Sequence, residues 1–549
     1  MDLQNNITDE QTTEKLHESE EVNFSYRQSE PPKPLFELKK GDTAFAICIA
    51  VGCVFISTLG IFGGFALGYM ISSVFITALF GIYFIACGKV NVFSLICGAL
   101  SMAGSTVFIT TTNVSVRLVG VVIYFLLLLV CFDGVINGNA KGNRATIGIF
   151  YSAASSMGNM GVSQKSLFSG NDGNKKAAGK AIIGLLCSIP VLIVVIPLLI
   201  SSDDAFSGMM SEIFTNSGNT FTTILKIVFG IIISLFAISY GFSLKNRRIL
   251  RIKESNFSGI DNIYIISFLS AITVCYLLYL FSQLAYFFSA FSGFLPNGEI
   301  TYAQYARKGF FEMCVIAVIN LGIVFLSLLL AKKYNGKVCV GIKAITTFIA
   351  VFTLIIIATA ISKMVLYINT YGMTVLRITT SAFMLFLAVV FISVILRIYI
   401  AKINVVKTAL LSAGIIVLVL GMFNVNAVCA KYNYQAYKEN KLDSVDIEAM
   451  YNLGDEGIPY IVKLAYSKDS SVAKDAQHYL SKAYMEDYFV NMHFAEGFDG
   501  QALRERQKYK SFSYFSLPRN RAYNTLYQFI EKNPNFDKVC LAYQARRLI

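Results

Sequence analysis

Apolar residues in this chain come in long blocks, not in alternation. Between Thr43 and Phe423, roughly eleven apolar runs of about 15 to 29 residues are separated by short polar breaks. A run of about 18 or more residues with few charges spans a hydrocarbon core roughly 30 Å thick as a helix, and no soluble domain needs so many in succession. The runs cover residues 43–61, 66–87, 92–110, 118–132, 181–200, 221–242, 263–291, 310–331, 338–361, 378–398 and 408–423. The pattern predicts an all-α protein, a polytopic transmembrane helical bundle over 43–423. A polar tail (1–42) precedes it, and a small helical extramembrane C-terminal domain (424–549) follows. The fourth and last runs are short, roughly 22–24 Å at 1.5 Å per residue. Flanking residues or local thinning of the bilayer must make up the length.

Past Phe423 the period changes. Ala476, Tyr479, Leu480, Ala483, Tyr484 and Tyr488 fall on one helical face. A shorter apolar run at 458–465 follows Gly454 and Gly457, and Pro518 and Pro534 bracket a helix over 519–532. Two such amphipathic helices resemble one unit of an α-solenoid.

Composition agrees with the pattern. The 549 residues are 55% hydrophobic and only 15% charged, against about 25% charged in a soluble domain. Trp is absent and Tyr numbers 30, so Tyr must supply the interfacial belt. The net charge of +13 is unevenly spread: Lys plus Arg against Asp plus Glu is 5 to 10 in residues 1–42, 25 to 9 in 43–423, and 17 to 15 in 424–549. Positive charge thus collects in loops between spans, and neither soluble part offers the basic face that nucleic acid requires.

Those loop charges carry an orientation. One alternate set holds Lys89, Lys141, Arg144, Lys165, Lys175, Lys176, Lys180, the basic run 245–253, Lys332, Lys333, Lys337, Arg397, Lys402 and Lys407. The opposite set holds Arg117, Arg307, Lys308, Lys363 and Arg377. Because Lys and Arg near span ends stay cytoplasmic, the N-terminus is expected inside and, with eleven spans, the C-terminus outside. The acidic tail reads as disordered, and the first span as an uncleaved anchor. Residues 133–180 read as a long inner loop rich in Gly, Asn and Ser. No G-x-x-x-x-G-K-[ST] occurs there, so the glycines mark flexibility and no nucleotide cradle.

Catalytic constellations are scarce. Only three His are present, His17, His478 and His493, and H-E-x-x-H and G-x-S-x-G are both missing. Metal hydrolysis and Ser-His chemistry therefore lack their parts, and no catalytic, metal or cofactor-binding residue is assigned. Nine of eleven Cys lie in or beside apolar runs without C-x-x-C spacing and act as small hydrophobes. Cys429 and Cys540 are left as a candidate pair. Inside spans, Lys226 sits where it can snorkel, Asn320 and Gln283 read as interhelical glue or the lining of a polar path, and Pro190 and Pro197 offer a hinge.

The most distinctive stretch is T-Y-A-Q-Y-A-R-K-G-F-F-E at residues 301–312, where a helix would place Tyr302, Tyr305, Gly309 and Glu312 on one face. Other such stretches are L-L-I-S-S-D-D-A-F at 198–206, Y-G-M-T-V-L-R at 371–377 and N-V-N-A-V-C-A-K-Y-N at 424–433, with F-S-L-P-R-N-R-A at 515–522 as a weaker echo. Together they resemble a large uncharacterised bacterial family of multi-pass membrane proteins that carries a domain-of-unknown-function label, over about residues 180–530. The resemblance implies a helical architecture in the bacterial cytoplasmic membrane and no particular reaction. It leaves an envelope scaffold or sensor ahead of a transporter or lipid-handling permease. The partners are then the bilayer itself and either another envelope protein or a lipid ligand. All four main segments map to the outer face, so Asp203, Tyr302, Tyr305, Arg307, Glu312 and Arg377 form a candidate outer-face cluster. Its arginines are expected to pair with the acids.

Overall fold

The structure is a computed structural model. It describes residues 36–86, 91–137, 152–167, 195, 198–199, 201–203, 205–209, 218–247, 259–292, 310–334, 338–400, 402–442, 444–492, 514–533 and 536. Among these, helices follow one another through short turns, and an isolated β-bridge joins Ile260 to Ala331. A hydrocarbon solvent leaves the backbone no partner but itself, which is why apolar runs of this length close into helices.

Ten described helices are long and apolar enough to cross a membrane, and they match ten of the eleven expected runs. The run 181–200, with Pro190 and Pro197, lies outside the described residues. The helices are α1 (Lys40–Phe55, continued by a π-helical turn Ile56–Ile61), α2 (Leu67–Ile85), α3 (Val92–Gly104) with the short α4 (Val107–Thr110), and α5 (Val114–Asn137). After α6 (Met160–Leu167) come α7 (Gly218–Lys245), α8 (Asn262–Ser292), α9 (Phe310–Leu330), α10 (Val340–Tyr371), α11 (Val375–Tyr399) and α12 (Val405–Met422). The fourth run is not short after all: α5 has 24 residues, because Ser115 and Arg117 at its start and Asp133 and Asn137 at its end belong to the helix. Helix α10 likewise outruns its apolar core and reaches Tyr371.

Packing divides the bundle into two halves. Phe45, Phe80, Phe84, Phe132, Leu127 and Phe242 build one core between α1, α2, α5 and α7. Phe310, Ala317, Phe352, Ile356, Met384 and Phe391 build another between α9, α10 and α11. Helix α12 stands between the halves, touching α3 and α5 on one side and α11 on the other. Gly230 lets α7 cross α1 at backbone distance: a Cβ there would lie 2.6 Å from the Val54 Cα. Deep in the second half, the Asn320 amide donates to Thr353 Oγ1 at 2.9 Å and its carbonyl accepts from the Tyr276 hydroxyl. Asn320 is thus glue between α8, α9 and α10. The side chain of Gln283 lies outside the described residues.

The expected flexible loop is corrected in part. Residues 152–158 and Met160–Leu167 are helical, and their buried face is the polar one: Ser152, Ser155, Ser156, Asn159, Ser163 and Gln164. Ser163 donates to Asn159 O, Ser239 of α7 donates to Ser156 O, and the Asn159 amide reaches Ser243 Oγ at 3.2 Å. A hydroxyl has no water to bond to at such a contact, so it seeks a neighbouring helix, and Ser and Asn bind helices here where Leu would elsewhere.

Beyond α12 lie α13 (Val425–Lys438), α14 (Ile447–Tyr451), α15 (Ile458–Leu464), α16 (Ser470–Met492) and α17 (Leu517–Lys532). They enclose a core of their own: Met450, Ile461, Leu464, Ala476, Leu480, Leu526 and Phe529. The expected helical pair and the Pro518 helix are both present. His478 is exposed on α16, while His493 lies outside the described residues.

Candidate functional site: the joint between bundle and C-terminal helices

Helix α12 does not end freely. Asn424 follows it in the left-handed region at φ +50°, a conformation Asn tolerates because its short side chain bonds locally. That residue turns the chain into α13 and caps it, since Asn424 Oδ1 accepts from Ala427 N at 3.3 Å. Its amide then reaches back into the bundle and donates to Thr110 O at 2.7 Å and to Glu456 Oε1 at 3.1 Å.

Glu456 is the centre of the joint. Although it belongs to the C-terminal helices it is only 4% exposed. Its carboxylate accepts from Thr112 N at 2.8 Å, from the Thr112 hydroxyl at 2.5 Å, and from Asn424. A buried carboxylate needs such charge-assisted bonds to offset its lost hydration. Beside it Asp455 faces Arg519 at 3.4 Å, and Arg117 lies within electrostatic range of both acids. Burial raises the Asp455 carboxyl above its ordinary value of 3.8, against the pull of Arg519.

Helix α13 grips the bundle at two places one face apart. Asn113, in the turn between α4 and α5, donates to Asn426 Oδ1 at 2.8 Å, and Asn426 donates to Leu453 O at 2.9 Å. Seven residues on, Asn433 forms a double bond pattern with the turn between α10 and α11: Met373 N donates to Asn433 Oδ1 at 2.7 Å, and Asn433 Nδ2 donates to Met373 O at 2.8 Å. Positions i and i+7 share a helix face, so one face of α13 reads one hairpin from each half. The hairpins are built alike. Arg117 donates Nε to Thr111 O at 2.7 Å and Nη2 to Phe108 O at 2.9 Å. Arg377 donates Nη1 to Tyr371 O at 3.2 Å and to Gly372 O. Each arginine caps the carbonyl end of the preceding helix, where positive charge complements the helix dipole. A third contact comes from the 515–522 segment: Leu67 N donates to Phe515 O at 3.1 Å, and the Tyr514 hydroxyl donates to Phe62 O at 3.1 Å.

The expected outer cluster is reached only in part. Tyr302, Tyr305 and Arg307 lie outside the described residues. Asp203 is exposed and caps its own turn, accepting from Ala205 N at 2.9 Å, and Glu312 is exposed in the first turn of α9. Arg377 has the partners its position demanded, but they are backbone carbonyls and the Tyr367 ring, 4.1 Å away, not a carboxylate. Sequence reasoning missed Thr112, Asn113 and Glu456. A signal existed in the parallel between T-N-V-S-V-R at 112–117 and M-T-V-L-R at 373–377. Cys429 is buried, its thiol pushed up to about 12 by burial, and Cys540 lies outside the described residues. Among the described residues no group of His, Cys, Asp and Glu suits a metal ion.

At the opposite face Asp42, 3% exposed, anchors α1. It accepts from Lys245 of α7, from the Tyr83 hydroxyl of α2 at 2.9 Å and from Lys39 N at 2.9 Å.

The pH dependence of the joint follows from Asp455. Its folded pKa is raised, so the folded state holds the proton more tightly than the unfolded chain does. The resulting stability is present at low pH and lost as pH rises from about the ordinary carboxylate value through the raised one. The melting temperature of the intact protein relative to Asp455→Asn is expected to rise as pH falls from 7 towards about 4.5. A difference independent of pH would mean that Asp455 is solvated.

The fold and its joint define a polytopic helical membrane protein with an extramembrane helical unit seated on the turns at one end of the bundle. The chain belongs to the family described as "Domain of unknown function (DUF4153)", whose model matches residues 73–464. That stretch begins well before the region singled out by sequence motifs and ends before the 515–522 segment. No curated protein matches the chain, and no solved structure does.

Proposed function

We propose that this protein is a non-enzymatic scaffold or sensor of the bacterial cell envelope, set in the cytoplasmic membrane with its N-terminus inside and its C-terminal helices outside. The observation that carries the reading is the grip of α13. A helix joined to α12 through the Asn424 turn bonds one hairpin from each half, so any load on the C-terminal unit is delivered to both halves at once. Such a unit suits another envelope protein or a lipid as its partner. Two coupling features support eleven spans. Ser166 accepts from Phe36 N at the N-terminal face, whereas Lys226 O accepts from Ser57 and its ammonium lies 6.0 Å from Phe62 at the opposite face. A crossing by the run 181–200 would connect these two faces.

Reporter fusions at residue 20 and at the C-terminus test the orientation. A cytoplasmic signal from the C-terminal fusion sinks it. The alternative, a transporter or lipid-handling permease, draws support from the matched hairpins flanking α12, since paired repeats are common in transporters. Vesicles carrying the purified protein are expected to show no uptake or lipid transfer above protein-free vesicles. Transfer above that background would favour the permease.

A further inference from the structure

The segment that leads into α17 alternates in exposure. Phe515 is 36% exposed, Ser516 2% and Leu517 54%. Ser516 is extended, at φ −140° and ψ 149°, and along an extended chain successive side chains point to opposite sides. Ser516 therefore faces inward, while Phe515 and Leu517 stand together on the outer side.

Helix α2 fixes where that side lies. Leu67 opens the span Leu67–Ile85, and its N–H is one of those that a helix leaves unpaired at its start, pointing out along the axis. The Phe515 carbonyl accepts from it at 3.1 Å, so the segment crosses the end of the span at the edge of the hydrocarbon. Side chains of an extended residue stand roughly perpendicular to the plane of its backbone hydrogen bonds. With the carbonyl aimed down the α2 axis, they run along the membrane plane. On the inner side is the bundle. The Tyr514 hydroxyl donates to Phe62 O at 3.1 Å, and its ring lies 3.0 Å from where a Cβ on Gly64 would sit. The outer side continues a surface that lipid already covers. Ile71 and Phe75, four and eight residues on from Leu67, are exposed on α2, and Phe62 is exposed at the end of the first span.

We propose that Phe515 and Leu517 are an interfacial anchor, which enters the boundary between lipid headgroups and acyl chains and holds the C-terminal helices to the bilayer as well as to the bundle. Exposed apolar side chains grouped beside polar ones mark an interaction surface. The occupant here is lipid, because the surface is continuous with the lipid-facing stripe of α2. Apolar groups of this kind sink about 5–10 Å into that boundary. The contacts are apolar, so the anchor selects no particular headgroup. It holds whichever way the chain is threaded, and it stands apart from the orientation and function proposed above.

The chain contains no Trp, so Phe515→Trp and Leu517→Trp each yield a full-length protein with one emitter. Both are reconstituted in phosphatidylcholine vesicles, plain or brominated near the top of the acyl chain, and Phe62→Trp supplies the signal of a lipid-facing residue. Each anchor variant is expected to emit at the blue-shifted wavelength of Phe62→Trp, to lose most of its intensity in brominated lipid, and to respond little to iodide present on both sides. Because the two positions are separate substitutions, the test survives if one variant fails to fold. Strong quenching by iodide with none by brominated lipid overturns the proposal, since the pair then faces water. Protection from both quenchers overturns it as well, by showing that protein, such as a second copy of the chain, covers the pair.

Discussion

Glu456→Ala is expected to undock the C-terminal helices from the bundle. The substitution strips the acceptor from Thr112 N, the Thr112 hydroxyl and the Asn424 amide together, and it leaves Arg117 nearby without that compensating charge. Each buried donor left unmade costs about 1–3 kcal/mol, and breaking a buried charged contact costs about 3–5 kcal/mol. Water entering the opened joint recovers part of this, so a loss of about 3 kcal/mol is expected, read as a lower melting temperature and faster proteolytic release of the C-terminal helices. Glu439→Ala, which removes an acid paired with Lys441 on the surface, should leave both readouts unchanged. If Glu456→Ala melts like wild type, the carboxylate is not what seats the C-terminal helices.

The second large effect lies at the other face. Asp42→Ala should destabilise the first half by about 3–5 kcal/mol, because it leaves the Lys245 ammonium and the Tyr83 hydroxyl facing a vacated, poorly hydrated spot. Replacing the cation as well, in Asp42→Ala with Lys245→Met, should recover much of the loss, since an apolar pair of similar volume often stands in for a buried ion pair. No recovery in the double variant would mean that Asp42 acts through its cap of Lys39 N and not through Lys245.

Much of this architecture was legible in the sequence because lipid imposes one rule on every span. The apolar runs found ten helices, and helical spacing at 476–488 found α16. Two of the segments singled out by resemblance meet, 371–377 and 424–433, through Met373 and Asn433, while 515–522 reaches Leu67, outside those segments. What the sequence hid was the identity of partners. Arg377 was expected to seek a carboxylate, but a tight turn places helix-end carbonyls six residues behind it within reach, and no separate acid is required. Asp455 and Glu456 went unremarked, since nothing in their neighbourhood announces that a turn from the bundle meets them. The helix at 152–167 was hidden for the opposite reason. Its buried face is serine and asparagine, so hydropathy reads it as a loop. Lys363 was counted with loop charges because its apolar run stops before it, although α10 continues.

The claim on which the account rests is that α13 holds both hairpins in the intact protein. Disulfide trapping tests it directly in full-length protein carrying a protease site inserted at residue 172, with Asn113→Cys and Asn426→Cys introduced together and each alone. The account predicts that oxidised, protease-cut double variant stays in one piece on a non-reducing gel and separates on reduction, while the single variants separate in both conditions. If the double variant separates as readily as the single ones, Asn113 and Asn426 do not meet and the joint is not built as described.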